Sequence, residues 1–147
     1  MSLDDNEPLQ ANILLVTDKG EEADGLALFL EHHGMTVLRV YNVTECLELT
    51  RTHTVDVVLL DVKMPGMDLR VVFAELTQIV PAPLIIFVNE NDWATWTACA
   101  IAAGATAVNL PGDTSVKISD HAYLLTRIRA RIAIGRWQAE QAASTVR

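Results

Sequence analysis

Cysteine is scarce in this 147-residue chain, and a net positive charge is missing altogether. Cys46 and Cys99 fall in separate predicted helices without metal-type spacing, which argues against a disulfide framework or a zinc ribbon. They read as two reduced, partly buried thiols, as is usual in the cytoplasm. A net charge of −8 argues against a protein that grips a phosphate backbone. No apolar run approaches the roughly 18–20 residues of a membrane span, and no signal peptide is visible. Internal repeats and low-complexity linkers are likewise missing. What is present is a chain half hydrophobic and one-fifth charged, long enough for a single domain with a full core.

The apolar residues fall into short continuous runs separated by amphipathic stretches. Asp4 to Gln10 is polar and reads as a loose leader. Asn12 to Thr17 is the first predicted strand. Glu21 to His33 follows as a helix, with Ala23, Leu26, Ala27 and Leu30 at helical spacing and Gly34 as its stop. Thr36 to Val40 is a second strand, and Thr44 is placed to cap a helix carrying Cys46, Leu47 and Leu49. A third strand ends at Asp61. Gly66 to Ile79 reads as a helix, Leu84 to Val88 as a strand, and Asp92 to Ala103 as a helix. Thr106 to Leu110 is a fifth strand, and a last helix begins near Ser119 or Asp120. Apolar strands alternating with helices imply a parallel sheet covered on both faces.

The stretch Val55 to Asp68 organises this pattern. Val57 to Leu60 are aliphatic without alternation, as in a strand buried on both sides. Asp61 then stands at the strand's C-terminal end, with Met64-Pro65-Gly66 breaking the chain beyond it. In open parallel α/β sheets, sites lie at the carboxyl ends of strands. The plainer alternative is a strand-end Asp that caps the next helix.

Asp61, Met64, Pro65, Met67 and Asp68 together resemble the phosphoacceptor segment of receiver domains of two-component response regulators, with Leu69 in place of that family's Gly. The resemblance covers residues 11–132. It implies a flavodoxin-like (βα)5 doubly wound parallel sheet of strand order 2-1-3-4-5. Residues 1–10 are then a flexible leader and residues 133–147 an extended C-terminal helix. It implies a non-enzymatic role in phosphorelay signalling, with Asp61 taking a phosphoryl group from a histidine kinase or phosphotransfer protein. It also implies a Mg²⁺ site formed by Asp18, Asp61 and the backbone carbonyl of Lys63. With an acid missing at Thr17, that site is expected to be weak; Asp18 as a mere loop acid is the alternative.

The chain departs from the family at its switch positions. Thr17 stands where one of two acids follows the first strand, and Val88 where a Ser or Thr ends the fourth. Leu110 or Pro111 falls at the position of a Lys, and Val108 at that of an aromatic. Losing the Lys and hydroxyl bonds would weaken a phosphoryl state by about 2–4 kcal/mol. A degenerate receiver, acting as a phosphorylation-independent interaction module, is therefore the alternative function. Flavin binding is disfavoured, because Thr17 to Glu22 is too acidic to cradle phosphate. A homodimer is expected through the face of the fourth helix, fifth strand and last helix. Trp93 and Trp96 form one stripe there, and the apolar pattern of the last helix runs on through Gly135, Ala139, Ala142 and Val146. Nucleic acid and membrane are not expected partners.

Overall fold

The computed structural model describes residues 10–18, 20–61, 68–79, 83–88 and 118–145. Four strands form a wholly parallel sheet: β1 (Asn12–Val16), β2 (Thr36–Val40), β3 (Val57–Asp61) and β4 (Leu84–Val88), in the order β2-β1-β3-β4. The bounds of β1, β3 and β4 follow aliphatic runs that fill both sides of a buried strand, whereas the edge strand β2 is buried only at Val40. The predicted fifth strand and the helix before it lie outside the described residues. Helices α1 (Gly20–His32), α2 (Val43–Thr52), α3 (Leu69–Thr77) and α4 (His121–Thr145) accompany the sheet.

Alternation along the strands sorts the core into two layers. Ile13, Leu15, Val57, Leu59, Ile86 and Val88 pack with α1 residues Leu26 and Leu30 and α4 residues Leu124, Ile128 and Ile132. The intervening residues Leu14, Val16, Val58, Leu60 and Ile85 pack with Cys46 of α2 and with Val72 and Leu76 of α3. A doubly wound sheet follows from this alternation, because the inner strands β1 and β3 must bury both of their faces. At the sheet's N-terminal edge Asp56 ties three strands together. Its Oδ2 accepts from the Asn12 N–H at 2.7 Å, and its carbonyl accepts from the Leu84 N–H at 3.0 Å.

The helix ends have local causes. Gly34, at φ 91°, stops α1, and the Met35 N–H reaches back to the Leu30 carbonyl at 3.2 Å. The cap of α2 is Asn42 rather than Thr44: its Oδ1 accepts from the Glu45 N–H at 2.9 Å, so the helix starts two residues earlier than expected. Helix α3 starts at Leu69 rather than Gly66, because Asp68 is still non-helical and its carbonyl accepts the first bond, from the Val72 N–H. In α4, the Asp120 carbonyl accepts from the Leu124 N–H at 2.9 Å, so the expected start near Asp120 is observed.

Helix α4 has 25 residues and is therefore about 38 Å long. Leu124, Leu125, Ile128 and Ile132 are its buried anchors, and Gly135 still lies against Leu84. Arg136 donates to the Gln10 carbonyl at 2.9 Å, which fixes the approach to β1. Among the described residues no helix is long and apolar enough to cross a membrane.

Burial pushes the Cys46 thiol up to about 12. The folded state therefore keeps a proton that the unfolded chain loses above about pH 8.5. The resulting contribution to stability is fully present below that pH and is lost as pH rises toward 12. Denaturant unfolding between pH 7 and 10.5 is expected to show a steeper loss of stability in the native sequence than in Cys46→Ala, and equal slopes would contradict it.

Candidate functional site at the carboxyl edge of the sheet

Asp61 is the last residue of β3, a strand flanked by β1 and β4, and it has no solvent exposure. The ladder pairs Val16 with Leu60, so the next step places Thr17 beside Asp61, and Asp61 is itself paired with Val88. Thr17, Asp61 and Val88 thus form one rung across β1, β3 and β4. All three share the alternation of Leu15, Leu59 and Ile86, and so they belong to one face of the sheet.

The rung carries one hydroxyl. The Thr17 Oγ1–H donates to Asp61 Oδ2 at 2.8 Å, with both residues fully buried. The Thr17 backbone is held from the other side, its N–H donating to the Val40 carbonyl of β2 at 3.1 Å. A buried carboxylate needs such donors, since an unsatisfied one costs several kcal/mol. Val88, also fully buried, offers Asp61 only methyl groups. Asp18 follows Thr17 on the loop and is exposed.

A buried and an exposed carboxylate at one strand edge are hard oxygen donors, and that chemistry suits a divalent cation such as Mg²⁺. The third position is the neutral Thr17, and among the described residues no group of three His, Cys, Asp or Glu forms a metal cluster. Lys63, Met64, Pro65 and Met67 lie outside the described residues, as do Val108, Leu110, Trp93 and Trp96. A cavity of about 240 Å³, lined by residues 50–55, Ile79 and Pro83, lies at the opposite edge of the sheet, away from Asp61.

Sequence reasoning missed the Thr17–Asp61 bond, treating Thr17 only as a lost acid. The available signal was the shared strand-end position of the two residues on neighbouring strands. It also missed the outward stripe of α4, where Ile134 and Trp137 are about half exposed. Their three-residue spacing was visible.

A doubly wound parallel sheet with a buried acid at its carboxyl edge defines a CheY-like class of fold. A response regulator receiver domain protein (CheY-like) from Methanospirillum hungatei superimposes with a TM-score of 0.73 at 20% identity, covering 88% of this chain and 99% of that one. The chain belongs to the response regulator receiver domain family, whose model matches residues 13–108. It is similar to protein PilH of Pseudomonas aeruginosa, with 33% identity over 125 residues, 84% of this chain and 98% of that protein. It is also similar to the response regulator GtcR of Aneurinibacillus migulanus, at 29% identity over 83 residues. That match takes 56% of this chain but 34% of GtcR, so the chain spans about a third of that relative's length. Receiver domains are signalling modules, and this chain is one of them.

The rung makes a prediction about stability. Val88→Thr puts a hydroxyl next to the Asp61 carboxylate, where it has a partner, and is expected to cost less than about 1 kcal/mol. Val58→Thr puts the same hydroxyl into the aliphatic layer of the opposite face and is expected to cost about 1–3 kcal/mol. Urea unfolding of the two variants compares them directly, and equal costs would contradict the assigned faces.

Proposed function

We propose that this receiver accepts a phosphoryl group on Asp61 from a histidine kinase or phosphotransfer protein of the cytoplasm. The observation that carries the reading is the Asp61 carboxylate itself, buried at the carboxyl end of β3 and flanked by β1 and β4. An Asp61 oxygen forms the new bond to phosphorus as the bond from phosphorus to the donor nitrogen breaks, and the imidazole departs with that electron pair. The sheet fixes the carboxylate in place, so little freedom is lost on reaction. Asp18, Asp61 and the Lys63 carbonyl would hold Mg²⁺, which supplies neutralisation of the transferring phosphoryl charge. With Thr17 neutral, the affinity is expected to be below that of a receiver with two acids in the loop.

The apolar Val88 beside Asp61 favours a second reading, a degenerate receiver that binds partners without phosphorylation. Incubation with acetyl phosphate and Mg²⁺, followed by mass spectrometry of the intact protein, separates the two. The expected result is a single adduct that Asp61→Asn abolishes. No adduct would favour the degenerate receiver, and an adduct surviving Asp61→Asn would place the acceptor elsewhere.

We further propose a homodimer that uses α4 together with Trp93 and Trp96, and a body of residues 11–132 with 133–147 as its extension. Ile134 and Trp137 supply an exposed apolar stripe on α4. Two copies meeting on this stripe would bury apolar surface of both. Burial and the neighbouring Arg127 bring the Arg131 guanidinium down to about 10. Sedimentation at micromolar concentration is expected to show a dimer that weakens on truncation after Ile132 and in Trp96→Ala and Trp137→Ala. A monomer throughout, or a dimer indifferent to all three changes, would refute it.

A further inference from the structure

We infer that Thr17 is a positioning residue for the Asp61 carboxylate, its hydroxyl serving from β1 in the absence of a hydroxyl at Val88 on β4. The inference deepens the proposed acceptor role of Asp61 and rests on it for its chemistry, while its geometry stands alone.

Three features of the structure converge on Thr17. Its backbone is pinned to β2 through the Val40 carbonyl, while its side chain reaches β3 on the other side of β1. The side chain is β-branched, so few χ1 states are open to it, and the pinned backbone then dictates where Oγ1 sits. Both ends of the Oγ1–Oδ2 contact are fully buried, so water does not compete with it. A hydrogen bond from a hydroxyl to a carboxylate is among the stronger neutral-to-charged contacts. Two residues on one rung, one ionisable and one carrying a β-branched hydroxyl, therefore make a fixed unit.

The Thr17 hydroxyl holds Asp61 through Oδ2. An Asp61 oxygen bonds to phosphorus as the bond between phosphorus and its leaving group breaks, and the leaving group takes the electron pair and a proton from solvent. The Thr17 proton stays on Oγ1 throughout. Thr17 acts by keeping the carboxylate in one orientation, not by touching the phosphoryl donor.

Replacing Thr17 separates this role from simple packing. Thr17→Val keeps the shape and removes the hydroxyl, Thr17→Ser keeps the hydroxyl, and Thr17→Ala serves if the valine variant does not fold. Scalar couplings at the Asp61 β-protons, measured without metal or phosphoryl donor, report χ1 and so the direction in which the carboxylate is held. One χ1 state is expected in the native sequence and in Thr17→Ser, and averaged values in Thr17→Val. The initial rate of labelling by acetyl phosphate at saturating Mg²⁺ is expected to fall about 10- to 100-fold in Thr17→Val and to be largely retained in Thr17→Ser. A Thr17→Val protein with one Asp61 χ1 state and a native labelling rate would overturn the inference. A Thr17→Ser protein as slow as Thr17→Val would overturn it as well, because the hydroxyl would then not be the cause. If the native protein takes no label, the acceptor role of Asp61 fails, while the couplings still decide whether Thr17 holds the carboxylate.

Discussion

A carboxylate removed from water must be met by donors, and the carboxyl edge of this sheet is built around that requirement. Asp61 ends an otherwise aliphatic strand with no exposure, and the Thr17 hydroxyl is one of the groups that make its burial tolerable. The contact depends on parallel pairing in the observed register, since a slip of one residue between β1 and β3 would turn the hydroxyl to the opposite face. Register, burial and the acid's environment are therefore one constraint. The aliphatic residues that enforce it, Leu15 and Leu59 on one face and Leu14 and Leu60 on the other, lie in the two layers of the core.

The two ends of the sheet solve different problems with the same residue type. At the N-terminal edge, Asp56 is only partly buried and bonds to backbone groups at the starts of β1 and β4, which is a structural use of a carboxylate. At the carboxyl edge, Asp61 is fully buried with the Thr17 hydroxyl on its Oδ2, and the exposed Asp18 follows Thr17 in the chain. Buried acids are expensive unless their surroundings are arranged for them, and such surroundings are characteristic of functional sites. Helix α3 begins only at Leu69, with the non-helical Asp68 before it, so Asp61 is not at its cap position.

Helix α4 joins two environments. Its first half is anchored by Leu124, Leu125, Ile128 and Ile132 against the layer shared with α1. Its later turns leave Ile134 and Trp137 outward while Arg136 holds the Gln10 carbonyl. One helix thus stabilises the domain on one side and leaves Ile134 and Trp137 as apolar surface on the other.

Much of the fold was legible in the sequence, because a parallel strand buried on both faces must be an unbroken aliphatic run. The limits of β2 and β4 could be read from composition alone, and Gly34 marked its helix end because only glycine adopts that backbone cheaply. Asp61 was legible for the same reason, as a charge ending a run that otherwise has none. The cap of α2 was misplaced because Asn42 and Thr44 are both good caps by type, and only the path of the chain brings the Asn42 oxygen to a free N–H. Tertiary structure alone decided the meaning of Thr17. In sequence it is an acid replaced by a neutral residue, 44 positions from Asp61. Only strand pairing puts its hydroxyl on the carboxylate, because a hydrogen bond depends on distance in space and composition carries no record of which strands will be neighbours.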